Sequence, residues 1–248
     1  MSVLSPAQSQ QFAAQGFLVL PAFVARERTE RMLALAKDQV AADQGPAEYE
    51  ADLRYPGAPE SRAAEGGRTI RRLLQAHARG ESFAQWFSED RLLGALSELL
   101  GGPVKQARSH HNCVMTKQPR YSSETGWHQD IRYWSFTQPE LISVWLALGS
   151  ETPRNGGLLV IPGTHRMDFA PERYDERLFL RPEHPENVPL IACSENVALE
   201  PGDVLLFHAR LFHAASRNHT QDTKYSVVAT YRTLDNAPVP GSRSAAQD

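Results

Sequence analysis

Thr125-Gly126-Trp127-His128-Gln129-Asp130-Ile131-Arg132-Tyr133-Trp134 is the stretch from which the rest of the chain can be read. His128 and Asp130 stand two apart, so in an extended segment both side chains leave the same face and can share a metal ion. Such a pair lacks a third donor, and the best one is His213, which closes the apolar run Leu205-Leu206-Phe207-His208-Ala209-Arg210-Leu211-Phe212. Two imidazoles and one carboxylate on one face of a metal, with the other positions open, suit non-haem iron(II) that activates oxygen. A set drawing on His208 or His110 is the competing arrangement, although the adjacent His110 and His111 cannot share a strand face.

A histidine and an aspartate two apart form a short pattern, and the flanking sequence is what gives it weight. A strand-like run, Gln106 to Met115, precedes it. The apolar run Leu141 to Leu148 follows, then the turn Asn155-Gly156-Gly157 and a second run from Leu158 to Ile161 leading into Pro162-Gly163-Thr164-His165. Glu200-Pro201-Gly202-Asp203 then turns into Val204 to Phe207, just before the third donor. Strand, turn, strand, with ligands at the rims, is how a small β-barrel holds a metal.

These residues resemble the phytanoyl-CoA dioxygenase (PhyH) family of Fe(II)/2-oxoglutarate-dependent oxygenases. The resemblance is carried by Trp127 to Trp134, Asn155 to His165, Pro201 to His208, and His213 with Asn218-His219-Thr220-Gln221, and it spans about Phe12 to Arg232. It implies a mainly β fold with flanking helices, the double-stranded β-helix (jelly roll, cupin-like), with His128, Asp130 and His213 as the iron ligands. It also implies 2-oxoglutarate and O2 as co-substrates, and hydroxylation of a small organic metabolite with release of succinate and CO2. Related halogenases carry a small residue where Asp130 stands, so the aspartate implies a hydroxylase.

Two positions depart from the family pattern. The far carboxylate of 2-oxoglutarate usually meets an arginine eleven residues beyond the distal histidine, and that position here is Lys224, which keeps the charge but not the two-pronged fit. The usual serine two residues after that histidine is Ala215, with Ser216 beside it. Lys224 is expected to anchor the co-substrate, against the reading of a strand lysine whose head group reaches solvent. Lys117, Ser216 and Arg217 are further candidates on that side, Lys117 being equally readable as a surface lysine. Arg132, Tyr133 and Trp134 are candidates for the substrate wall, the aromatics being equally readable as core. The departures keep two other classes open, a cupin-like metalloenzyme that does not use 2-oxoglutarate and a non-catalytic ligand-binding barrel.

At 248 residues the chain reads as one catalytic domain. Residues 1–102 form a helical buttress and long loop, 103–235 the metal-binding barrel and 236–248 a polar tail. A formal charge of −3, from 26 basic and 29 acidic residues without a long basic block, speaks against nucleic acid as a partner. No apolar run is long enough to cross a bilayer. Cys113 and Cys193 sit in apolar runs as buried free thiols, which fits a cytoplasmic setting. The expected partner is a small-molecule substrate, with monomer or homodimer both open. Gly156, Gly157 and Gly163 read as turn glycines, and no nucleotide-phosphate loop is present.

Ser5-Pro6 with Gln8 starts a helix that ends at Gly16, and Phe17 to Leu20 is a short strand. A helix is expected from Ala25 to Ala42, a long loop from 44 to 67, a strand or helical turn from Ile70 to Ala76, and one amphipathic helix from Ser82 to Leu100 with its aromatics in the core. Residues 106–117 read as one extended run. Residues 168–189 read as an excursion over the barrel mouth. Val188 to Leu199, Val204 to Phe207 and Tyr225 to Tyr231 are the remaining strands.

Overall fold

A computed structural model describes residues Ser2 to Gln247. Helix α1 (Pro6–Gln15) begins at a reciprocal cap: Gln8 N donates to Ser5 Oγ at 3.3 Å and Ser5 N donates to Gln8 Oε1 at 2.8 Å. It ends at Gly16 in the left-handed region, and β1 (Phe17–Leu20) and α2 (Arg26–Ala41) follow within a residue of their expected bounds. The stretch 44–67, expected as loop, contains β2 (Ala47–Tyr49) and the short helix α3 (Glu50–Leu53), because β2 pairs with β3 (Ile70–Leu74). The single helix expected over 82–100 is two, α4 (Glu81–Phe87) and α5 (Asp90–Leu100). Ser88 lies in the break, its hydroxyl donating back to the Ala84 carbonyl at 3.2 Å.

Strand β4 (Val104–Gln106) and β5 (Asn112–Lys117) replace the one run expected over 106–117, with a turn between them. Next come β6 (Thr125–His128), β7 (Leu141–Ala147) and β8 (Leu158–Val160). The strand expected from Val188 to Leu199 is half helix, α6 (Asn187–Ala192) followed by β9 (Glu195–Val197); Pro189 is tolerated because it lies in the first turn. Cys193, which ends that helix, is exposed rather than buried, whereas Cys113 is buried as expected. Strands β10 (Val204–His208), β11 (His213–Ala215) and β12 (Lys224–Thr233) complete the set. The polar tail is tied down: Asn236 is buried and accepts from Gln138 N at 2.9 Å, and Ser244 is buried beside His110.

The strands form two antiparallel sheets, the jelly roll. The larger runs β1-β10-β7-β12-β5-β3-β2 with β4 beside β12, and the smaller runs β6-β11-β8-β9. The central strands β7 and β12 of the larger sheet are buried along nearly their whole length because both faces are covered. Ile142, Val144 and Leu146 of β7, with Val227, Ala229 and Tyr231 of β12, face the helices and pack with Met32, Phe83, Trp86, Leu92 and Leu96. Trp145, Ala147 and Val228 face inward and meet Leu158, Val160 and Ala215 of the smaller sheet. Two-residue alternation thus separates a buttressed outer core from an inner core beneath the metal-binding end. Among the described residues no helix is long and apolar enough to cross a membrane.

The turn into β10 requires its glycine. Gly202 has φ +92°, and a Cβ there would lie 2.4 Å from the Val24 carbonyl oxygen. Gly202→Ala is predicted to cost about 2–4 kcal/mol, combining left-handed strain with a backbone clash. Urea denaturation checks this, and a midpoint equal to that of the parent would refute it.

Candidate metal centre

Strand pairing brings the two histidines together. His213 opposes His128 across the β11–β6 ladder, and the ring centroids are 4.1 Å apart. The expectation that Asp130 shares one extended strand with His128 needs correcting: β6 stops at His128, and Asp130 opens a 3-10 turn, Asp130–Tyr133. Gln129 between them is still extended (φ −109°, ψ 137°), so the two side chains leave the same side while Gln129 turns away, its amide donating to the Arg210 carbonyl at 2.5 Å. One ligand atom from each of His128, Asp130 and His213 lies within 4.8 Å of the others.

The rings are oriented for the task. His128 Nδ1 faces the Gly126 carbonyl at 2.8 Å and His213 Nδ1 faces the Leu211 carbonyl at 3.1 Å, which as N–H donors leaves both Nε2 lone pairs directed at the shared point. Burial, then the neighbouring His213 and Arg132, holds the His128 pKa well below its usual value, and burial lowers that of His213. Burial opposes charge on Asp130, but His111 and His213 outweigh it and hold its pKa well below the carboxylate range. The group therefore presents two neutral imidazoles and one carboxylate at neutral pH, the protonation states a divalent cation needs.

Each oxygen of Asp130 has a protein partner. Ser143 Oγ donates to Oδ2 at 2.6 Å, and His111 Nε2 lies 2.9 Å from Oδ1, the oxygen that faces the other two ligands. His111 was not among the expected site residues; it lies two residues before Cys113, in phase with Cys113, Met115 and Lys117, and that alternation is the signal that could have found it. Ser143 is in phase with Trp145 in the same way. His110 stacks with Trp134 at 4.9 Å and takes no part in the cluster, while His208 and His165 pair with each other at 5.4 Å elsewhere.

The expected co-substrate residues separate. Lys224 is buried and its ammonium donates to Glu151 Oε2 at 2.9 Å, while Glu151 also accepts from Ser226 and from the Trp145 indole. Lys117 is buried too, neither lysine reaching solvent, and its ammonium donates to the Ser123 carbonyl at 2.5 Å. Burial, then the charges of Arg71 and Lys224, holds the Lys117 pKa well below its usual value. Ser216 and Arg217 are tied to loop carbonyls, Ser216 to Pro153 and Arg217 to Ser122 and Arg120. Arg132, Tyr133 and Trp134 line the cavity in front of the metal cluster, as do Arg71 and Arg72, which the sequence did not single out. Arg71 is a bulged residue: Glu48 pairs with Arg72 and its neighbour Tyr49 with Ile70, so Arg71 is unpaired and turns inward.

The model of the phytanoyl-CoA dioxygenase (PhyH) family matches residues 12–226 of the chain. The chain belongs to the phytanoyl-CoA dioxygenase family. A probable phytanoyl-CoA dioxygenase of Caenorhabditis elegans is 26% identical over 155 residues, 58% of this chain and 48% of that protein. The human peroxisomal phytanoyl-CoA dioxygenase is 27% identical over 136 residues, 50% of this chain and 39% of that protein. The chain thus spans half or less of these two family members. An ectoine dioxygenase of Halomonas elongata is 24% identical over 94% of this chain and 71% of its own length. The crystal structure of EctD from S. alaskensis with 2-oxoglutarate and 5-hydroxyectoine has the same fold, with TM-score 0.76 and 23% identity over 96% of this chain and 79% of that one.

Asp130→Ala and His213→Ala are predicted to abolish stoichiometric iron(II) binding. Ser143→Ala is predicted to weaken it roughly 10- to 100-fold by freeing the carboxylate to rotate. Competition against a colorimetric chelator measures all three, and an affinity unchanged in Ser143→Ala would show that the hydroxyl does not orient the ligand.

Proposed function

We propose that the protein is a non-haem Fe(II)- and 2-oxoglutarate-dependent dioxygenase that hydroxylates a small organic molecule. The observation that carries this is the convergence of His128, Asp130 and His213, already in the protonation states of ligands, beside an open cavity. Membership of the PhyH family supports it. Iron(II) and 2-oxoglutarate, when bound, supply the oxidation of a C–H bond by O2, with succinate and CO2 as co-products.

The residues around the cluster fit both groups. His128 and His213 would give nitrogen donors to the metal and Asp130 an oxygen, Ser143 fixing the carboxylate and His111 bordering it. For the far carboxylate of 2-oxoglutarate, Lys117 suits better than Lys224. Lys224 is already neutralised by Glu151, and a buried ion pair has no charge to spare. Lys117, directly opposite on the paired strand, has among the described residues a carbonyl as its hydrogen-bond partner, and burial with the nearby charges of Arg71 and Lys224 disfavours its own protonation. An incoming carboxylate would favour the ammonium there and pair with it. Trp145, fixed by its bond to Glu151, holds its ring centroid 4.8 Å from the Lys224 ammonium.

Anaerobic titration of the iron(II) protein with 2-oxoglutarate, followed by the visible charge-transfer absorption of the chelate, tests the reading. Lys117→Met is predicted to weaken 2-oxoglutarate binding about tenfold or more. Lys224→Met is predicted instead to lose about 3–5 kcal/mol of stability, because Glu151 is left buried and unpaired. Since the free Lys117 pKa is lowered and a bound carboxylate favours the ammonium, binding takes up a proton. Affinity should therefore be highest below that lowered pKa and weaken as pH rises through it, a slope lost in Lys117→Met. A saturable band in Lys117→Met with parent affinity would reject Lys117 as the anchor. No band in the parent protein with iron bound would favour the cupin-like metalloenzyme.

A further inference from the structure

The cavity in front of the metal cluster, about 350 Å³, is cationic. Arg71, Arg72, Arg132, Arg177 and Arg243 line it, against the carboxylates of Glu48 and Asp130. Arg71 and Arg177 are engaged within the fold. The Arg71 guanidinium donates to Ser123 Oγ at 2.9 Å and Thr125 Oγ1 at 3.1 Å and pairs with buried Glu50, and Arg177 donates to the Leu53 carbonyl at 2.8 Å.

Arg72 and Arg132 are left with donors to give. They reach the cavity from different elements, Arg72 from β3 of the larger sheet and Arg132 from the 3-10 turn that follows β6. Arg72 Nε lies 3.5 Å from Glu48 Oε1 without hydrogen-bond geometry, and the same oxygen is 3.7 Å from Arg71, so one carboxylate serves two guanidiniums. Among the described residues no carboxylate lies within ion-pair distance of Arg132: its Nη1 donates to the Arg177 and Leu178 carbonyls at 3.2 Å each, and its guanidinium carbon lies 4.0 Å from the Phe179 ring centroid. Among the described residues, the buried Nε of both arginines has no hydrogen-bond partner; that of Arg71 has none either, but both its terminal nitrogens are taken. Buried donors left open in a cavity call for an acceptor. Guanidiniums take oxyanions in two-pronged fashion, and Arg132 sits two residues from a metal ligand.

We propose that the substrate is an organic oxyanion, a carboxylate or a phosphate ester, whose acidic group is held between Arg72 and Arg132 while its carbon frame faces the His128, Asp130 and His213 cluster. This rests on the dioxygenase reading and adds the substrate class. The dianionic co-substrate does not compete for these arginines, because its far carboxylate is assigned to Lys117.

The test uses the anaerobic Fe(II)–2-oxoglutarate protein and four probes that share one ring: benzoate, phenyl phosphate, benzamide and benzylamine. Tryptophan emission reports binding without turnover, since Trp134 lines the cavity. Benzoate or phenyl phosphate should bind roughly tenfold or more tightly than benzamide or benzylamine, and the ratio between the two anions tells carboxylate from phosphate. Arg72→Gln and Arg132→Gln should each erase most of that preference and leave the 2-oxoglutarate titration unchanged. Glu48→Gln should strengthen anion binding, a gain that damage to the fold would not produce. Equal binding of the neutral or cationic probes overturns the inference, as does a loss of 2-oxoglutarate affinity in the arginine variants. A charge-transfer band without anion preference overturns this inference alone; anion preference without the band sustains the oxyanion site and overturns the co-substrate reading.

Discussion

The antiparallel pairing of β6 with β11 is the constraint on which the site depends. It sets His128 directly opposite His213 and leaves the third ligand to a short turn that begins as β6 ends. Backbone hydrogen bonds hold a ladder to within tenths of an ångström, a tolerance that a metal's coordination geometry demands. The larger sheet has a different task. Its central strands are buried on both faces, so β7 and β12 form a rigid floor from which Ser143 reaches Asp130 and Trp145 reaches Glu151.

The interior is electrostatically graded. At one end Asp130 lies between His111 and the two ligand imidazoles. Deeper in the barrel Lys224, Glu151, Ser226 and Trp145 close a hydrogen-bonded group that leaves no member unpaired. Lys117 and Arg71 lie close enough for their charges to be felt by one another, with Glu50 against Arg71. Buried charge is costly unless matched, and among the described residues the Lys117 amine meets a carbonyl rather than a carboxylate.

Much of this was legible in the chain. The two-residue spacing of His128 and Asp130, the apolar runs of β7, β10 and β12 and the cap at Ser5 are local patterns, and local patterns survive folding. What was not legible depended on partners distant in sequence. β2 is a strand because β3 is there to receive it, and nothing within the proline- and glycine-rich 44–67 segment announces that. Arg71 turns inward through a bulge defined by the opposite strand. Lys224, the expected co-substrate anchor, has its buried ion-pair partner, Glu151, 73 residues away in sequence, so that contact could not be read locally. Val188 to Leu199 reads as one strand although Pro189 fits the first turn of a helix there, and the tail from Asn236 looked featureless because its anchors, Gln138 and His110, lie elsewhere in the chain.

The arginine-lined cavity also bears on how a ligand arrives. The chain as a whole is slightly acidic, at −3, yet five guanidiniums face this one recess with two carboxylates among them. Charge of one sign is therefore concentrated at the mouth of a low-dielectric concavity while the remainder of the molecule carries the opposite balance. Such a recess focuses field lines into the solvent, so that diffusing anions are turned away over most of the surface and drawn in at one point. Their encounter rate is then set by ionic strength as much as by concentration, falling as salt shortens the range of the field.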